Sequence, residues 1–240
     1  MGVAKPTEMT IRDLLQEELR KRGVKVVLKS REGEENLGIF SKGRPVFINA
    51  NELRYFDEQK RFLFNGKIKA WQEKKVLLAS EIDLYEQTRK MTCSGNVKCV
   101  FPHRTREEKE EMIEISSGRM QYDPEKNVVV YDEGSVFKAK EFDFEAQSVS
   151  VYLKEDGEDM EKAVARGQVT THQNSVEGRG EEAIYDPKEE TIVLSGNPLF
   201  VDKDMGITRA DKLTFQLADD RILVENKGQK RSVTTIKRER

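Results

Sequence analysis

Two cysteines and two histidines are the side chains with the widest chemical reach in this sequence, and their spacing is the first test of a catalytic or metal-binding reading. Cys93 and Cys99 are separated by six residues, roughly 20 Å of extended chain. That is too far for a disulfide unless the chain folds back, so they read as two buried free thiols. His103 and His172 are isolated, and no paired Cys/His spacing supports a zinc site. Asp202-Lys203-Asp204-Met205-Gly206 faintly resembles a calcium loop, but its glycine is misplaced and the closing glutamate is missing. No phosphate-binding Gly-x-x-x-x-Gly-Lys-Ser/Thr stretch occurs, and Gly178-Arg179-Gly180 lacks the third glycine of a dinucleotide fingerprint. Carboxylates are numerous enough for a glycosidase pair, yet Glu52, Glu81 and Glu141 sit where the repeat described below places solvated, outward side chains. His172, beside Thr170-Thr171, reads as a surface histidine. The expectation is a protein that is not an enzyme and needs no metal or cofactor.

The elements that carry these residues must be built from little apolar material. The chain has 240 residues, with 36% hydrophobic and 36% charged, 42 Lys+Arg against 44 Asp+Glu, and a mean hydropathy of −0.72. The charge balance leaves no broad basic surface for nucleic acid. No apolar run approaches the roughly 20 residues of a membrane helix. The opening Met1-Gly2-Val3-Ala4-Lys5-Pro6 lacks the apolar region of a signal peptide. Eleven Phe and six Tyr argue against disorder. So much charge suits a thin structure.

The chain repeats. Ala50-Asn51-Glu52-Leu53-Arg54-Tyr55 returns as Ala79-Ser80-Glu81-Ile82-Asp83-Leu84, Ser117-Gly118-Arg119-Met120-Gln121-Tyr122 and Ala139-Lys140-Glu141-Phe142-Asp143-Phe144. Two further copies are Gly180-Glu181-Glu182-Ala183-Ile184-Tyr185 and Ala210-Asp211-Lys212-Leu213-Thr214-Phe215. Each has apolar residues three and five places after a small residue, which is the period of a half-buried strand. Turns such as Asp57-Glu58-Gln59-Lys60, Asp123-Pro124-Glu125-Lys126 and Asp186-Pro187-Lys188-Glu189 follow, with Pro presetting a type I turn. A second strand then runs to a glycine: Phe62/Phe64 to Gly66, Met91/Cys93 to Gly95, Val128/Val130 to Gly134, Ala163/Ala165 to Gly167, and Ile192/Leu194 to Gly196. Ile222/Val224 ends instead near Asn226. The glycine marks a corner or bulge, after which Ile68, Val97, Val136, Val169 and Phe200 resume the inward face. The reading is an all-β, antiparallel, layered sheet of about 13 to 16 short strands.

Three stretches depart from the repeat. Thr10 to Arg22 reads as a short N-capped helix stopped by Gly23, with Leu14, Leu15 and Leu19 as its stripe. Pro102 to Glu111 reads as a charged connector, either an exposed loop or one helical turn. Lys227 to Arg240 reads as a strand followed by a frayed basic tail. The organisation expected is a lead-in (1–44), leading repeats (45–101), a connector (102–111) and a main module (112–236), with residues 45–240 forming one β-domain.

Periodicity leaves two readings of the inward face. It is either a closed β-solenoid or sandwich whose side chains pack against each other, or an open trough holding a lipid. A trough gains roughly 25 cal/mol for each Å² of hydrocarbon removed from water.

The phrases Gly178-Arg179-Gly180-Glu181-Glu182-Ala183-Ile184-Tyr185-Asp186-Pro187, Val193-Leu194-Ser195-Gly196-Asn197 and Ala210-Asp211-Lys212-Leu213-Thr214-Phe215 resemble the OstA-type repeat of the lipopolysaccharide-transport (Lpt) family of Gram-negative periplasmic bridge proteins. Lys227-Gly228-Gln229-Lys230-Arg231-Ser232-Val233-Thr234-Thr235 resembles the C-terminal edge strand of the family's soluble periplasmic member. The resemblance runs from about Met112 to Thr235, with two more repeats in Val46 to Val100. It implies a folded, taco-shaped β-jellyroll in the periplasm that holds lipid A acyl chains inside. It also implies edge-strand pairing with LptC-like inner-membrane and LptD-like outer-membrane jellyrolls, or with further copies end to end. By residue match, Ile113 and Ile115 correspond to a lipid-facing entry strand, Tyr185 lies on another, and Val46 and Ile48 take the same place in the leading repeat. With Leu53, Phe62, Phe64, Ile82, Leu84, Met120, Tyr122, Val130, Phe142, Phe144, Ile192, Leu194, Phe200, Leu213, Phe215, Ile222 and Val224, these form the expected lipid-lining set. A structural solenoid that polymerises without lipid is the competing function.

Overall fold

Residues 23–28, 37–154, 159–173, 176–202, 206–218, 221–226 and 233–235 are described in the computed structural model. The expected helix and most of the basic tail lie outside them. The strands are β1 (Val24–Leu28), β2 (Val46–Ala50), β3 (Glu52–Phe56), β4 (Arg61–Gln72), β5 (Lys75–Tyr85), β6 (Met91–Arg104), β7 (Glu110–Asp123), β8 (Val128–Asp132), β9 (Ser135–Lys138) and β10 (Asp143–Ala146). They continue as β11 (Ser148–Leu153), β12 (Met160–Gln173), β13 (Val176–Asp186), β14 (Thr191–Ser195), β15 (Leu199–Asp202), β16 (Gly206–Arg209), β17 (Lys212–Gln216), β18 (Arg221–Glu225) and β19 (Val233–Thr235). All belong to one sheet, every pairing is antiparallel, and no helix occurs among the described residues. Nineteen segments exceed the sequence estimate because the ladder breaks at many corners and one strand path then counts twice.

The sheet is a meander folded lengthwise into two leaves. Each long strand crosses the fold: the first part of β4 pairs with β3, its second part with β2, and β5 accompanies it on both sides. The leaves face each other. Cys99 Sγ on one lies 3.6 Å from Met120 Sδ on the other, and the rings of Phe137 and Tyr185 meet across the gap at 6.1 Å between centroids.

Two corner types alternate along the fold. In the plain type, two residues separate inward side chains, as in Ala50 to Leu53, Ala79 to Ile82, Ser117 to Met120, Ala146 to Val149 and Ala210 to Leu213. In the bulged type, three residues separate them, as in Phe64 to Ile68, Cys93 to Val97, Tyr131 to Ser135 and Ala165 to Val169. Bulged corners carry two successive left-handed residues, for example Gly66 and Lys67 (φ 76° and 43°) or Gly167 and Gln168 (φ 81° and 50°). The extra residue shifts the register there and sharpens the bend. At Gly167 a Cβ would stand 2.5 Å from Gln147 Oε1 on the neighbouring strand, so glycine serves both the left-handed backbone and the close approach.

The repeated phrase is therefore the plain corner, and this corrects one copy. Ala139 to Phe142 forms the turn between β9 and β10, closed by the Ala139 N–H donating to Phe142 O at 2.9 Å, and Asp143 and Phe144 begin β10. The corner of that strand path is Ala146-Gln147-Ser148-Val149 instead. A second correction concerns parity after β7. Met120 pairs with Tyr131 and Tyr122 with Val129, so Val129 and Tyr131 face inward and Val130 faces outward. Beyond the bulge, Phe137 is buried while Val136 is only half-buried.

The expected connector is a hairpin. β6 and β7 run on to Arg104 and Glu110, and Thr105 to Lys109 makes the turn, its ends joined by the Thr105 N–H donating to Lys109 O at 3.0 Å. Pro102 is tolerated because β6 there has outrun β5 and pairs with β7 alone, opposite Met112.

Candidate functional site

Both inner faces converge on one apolar interior. The residues anticipated as lining it, Val46, Ile48, Leu53, Phe62, Phe64, Ile82, Leu84, Ile113, Ile115, Met120, Tyr122, Phe142, Phe144, Tyr185, Ile192, Leu194, Phe200, Leu213 and Phe215, are all buried in a single cluster. Three are not. Val130 faces outward, Ile222 is half-buried and Val224 is 37% exposed. Ile222 and Val224 stand opposite Phe215 and Leu213, so they share the inward face but occupy the last strand of their leaf, with no strand beyond it among the described residues.

At the centre, Phe137 stacks on Phe144 with centroids 4.5 Å apart and on Phe142 at 5.8 Å, and Phe142 meets Tyr185 at 4.6 Å. Sequence reasoning missed Phe137 through the parity error, although Ser135-Val136-Phe137-Lys138 after Gly134 alternates correctly once the bulge is counted. The leaves approach closely beyond this cluster: a Cβ on Gly178 would lie 2.6 Å from Leu194 Cδ1 and 3.0 Å from Phe215 Cζ.

Cys93 and Cys99 are free and fully buried. Burial raises both thiols, Cys99 up to about 12, and the Tyr131 hydroxyl buried beside Cys99 is raised for the same reason. The thiolate is the reactive form. At pH 8 a thiol reagent is therefore expected to label neither cysteine in the native protein and both after denaturation, as counted by intact mass.

His103 lies near the open side of the fold, edge-on to Tyr185 at 6.2 Å. Its Nδ1 has no hydrogen-bond partner among the described residues. Burial lowers its affinity for a proton against the opposing pull of Asp159, Glu111 and Glu190. With the folded value below the ordinary 6.5, the unfolded chain binds the proton first as pH falls. Stability is then complete above about pH 6.5 and declines as pH drops through the folded value. Denaturant titrations between pH 7.5 and 5.5 are expected to show this decline in the wild type and a smaller one in His103→Phe. His172, by contrast, is at the surface with Nδ1 2.8 Å from Asp143 Oδ1.

Two segments close the open side, and neither was foreseen. Residues 37–44 form a strap: Leu37, Ile39, Phe40 and Ser41 are buried, and Gly38 lies against Met91, Met120 and Tyr122. On the other leaf, Gln72 accepts the Ser41 N–H at 2.8 Å through Oε1 and donates to Ser41 O at 3.0 Å and Arg44 O at 3.1 Å through Nε2. Lys75 Nζ donates to Ser41 Oγ at 2.6 Å. Next along, the β6–β7 hairpin reaches to the opposite leaf. The Arg104 N–H donates to Asp159 Oδ1 at 3.3 Å and the Arg106 N–H to Glu190 Oε1 at 3.2 Å. A polar cleft of about 1340 Å³ lies between strap, hairpin and the facing tips, lined by Arg44, Glu73, His103, Asp159 and Lys188 among others. The two closures differ in strength. The strap buries three large apolar side chains, Leu37, Ile39 and Phe40, at roughly 1.5–3 kcal/mol each, whereas the hairpin makes two bonds to carboxylates, each about 1.5–3 kcal/mol before solvent screening reduces it.

Residues 114–221, from within β7 to the start of β18, match the model of the LptA/(LptD N-terminal domain) LPS transport protein family. The matched segment, a little under half of the chain, is similar to the LptA/LptD N-terminal domain. Strands β1 to β6 lie before the matched segment and continue its sheet without a break. Among solved structures, the chain is similar to LptH, the LptA-homologous periplasmic component of the conserved lipopolysaccharide transport device of Pseudomonas aeruginosa. The identity is 12% over 52% of this chain and 95% of that one, with a TM-score of 0.45. No curated protein sequence matches the chain.

Proposed function

We propose that this protein carries lipopolysaccharide in the periplasm, holding lipid A acyl chains between its two leaves. In this reading it is one span of a bridge between inner-membrane LptC-like and outer-membrane LptD-like jellyrolls. The observation that carries the reading is the unbroken apolar inner face, running from Val46 and Leu53 to Val224 across the LptA-type domain and the strands before it. Acyl chains need only removal from water, worth roughly 25 cal/mol per Å², and such a face supplies it without catalytic groups. Docking by strand addition is supported by the edges: among the described residues, β3 pairs only with β4 and β18 only with β17.

Mass spectrometry of organic extracts of the purified protein is expected to find acylated glycolipid. A photocrosslinker at Ile115 is expected to capture lipopolysaccharide. Protein that is lipid-free and takes up no added lipopolysaccharide would sink the reading. The second reading, an end-to-end structural scaffold, is favoured by one observation: Phe64, Ile115, Phe144 and Leu213 are fully buried against protein alone.

A further inference from the structure

The open side of a folded sheet is the shortest way into it, and in this chain that side is shut by two unequal devices. The strap buries apolar side chains and is tied at Ser41 by a buried network with Gln72 and Lys75. The β6–β7 hairpin, which extends past β5, touches the facing leaf through the edge-on contact of His103 with Tyr185 and through single backbone bonds to the carboxylates of Asp159 and Glu190. Immediately beside it is a hollow of about 300 Å³ whose floor is Phe142, Tyr185 and Leu217 and whose rim is charged, with Glu111 and Glu190 on it and Lys109 of the hairpin at its edge. Phe142 and Tyr185 also belong to the central aromatic cluster, so they form the wall shared by the hollow and the interior, and the hairpin lies over it.

We propose that the β6–β7 hairpin is a latch, and that acyl chains enter and leave sideways beneath it while the strap stays in place. This rests on the lipid-carrying reading and adds a route to it. Release of the two carboxylate contacts, with parting of the His103 and Tyr185 rings, frees the hairpin from the facing leaf, uncovers the wall of the aromatic cluster, and leaves both leaves' ladders intact. Loading is then limited by hairpin opening, as with other lids.

The test uses the full chain and purified lipopolysaccharide. An Arg106→Cys/Glu190→Cys variant is bridged by a short bis-methanethiosulfonate reagent, with the buried Cys93 and Cys99 protected from it. The bridged protein is expected to take up lipopolysaccharide at least about tenfold more slowly, with the rate restored by reduction. Restoration shows that the variant is folded. An Asp159→Ala/Glu190→Ala variant, lacking both acceptors, is expected to load faster than wild type. Equal uptake by bridged and reduced protein, or no acceleration in the double alanine variant, overturns the latch and leaves the lipid reading standing. If wild type and reduced protein both fail to load, the lipid reading falls and the latch with it.

Discussion

Replacing Phe144 with alanine is expected to lower the thermal unfolding midpoint by roughly 6–20 °C, from a loss of about 3–5 kcal/mol at 2–4 °C per kcal/mol. Phe144 is fully buried, stacked on Phe137 and beside Phe142 at 5.6 Å. Its strand is held on both sides, by β9 and by β12, so the backbone cannot collapse into the void. A calorimetric or dichroism melt checks the value. A shift under about 2 °C would mean that the facing leaf moves in to fill the space.

Phe40→Ala is expected to act locally instead. The same truncation energy, about 3–5 kcal/mol, falls on a strap that contributes no strand to the sheet beyond the small Leu37–Phe40 bridge. The strap is therefore expected to open roughly 150- to 5000-fold more often, which is what that energy converts to. The Ser41 amide, which donates to Gln72, should lose protection from hydrogen exchange by that factor. Amides in β6 and β7 around Cys99 and Ile115 should keep theirs. Equal loss in both places would show that the strap unfolds only with the whole sheet, and no loss at Ser41 would show that Phe40 does not hold it.

Local pattern explains what the sequence made legible. Strict alternation in Phe62/Phe64, Ile113/Ile115 and Leu213/Phe215 placed these side chains inward, and a small residue three places before an apolar one marked the plain corners. The failures arise where that pattern is degenerate. Val128-Val129-Val130-Tyr131 is apolar at every position, so only pairing with Met120 and Tyr122 reveals which face is inward. Ala139 to Phe144 repeats the spacing of a corner across the turn that leads into β10. The strap has no periodicity, because its burial is created by Met91, Met120, Tyr122 and Gln72, which are distant in sequence. The hairpin read as a connector because Pro102 and a run of charges normally end a strand, and only its lack of a partner on one side permits it to continue.

The alternation of plain and bulged corners has a consequence for how such a chain can change its length. A single added strand would set two corners of one kind side by side, and the fold line would lose step. Two strands, one of each kind, extend it without disturbing any neighbour. The interior therefore grows or shrinks by whole hairpins, in increments of roughly 9–10 Å, and kin of different length are expected to differ by even numbers of strands.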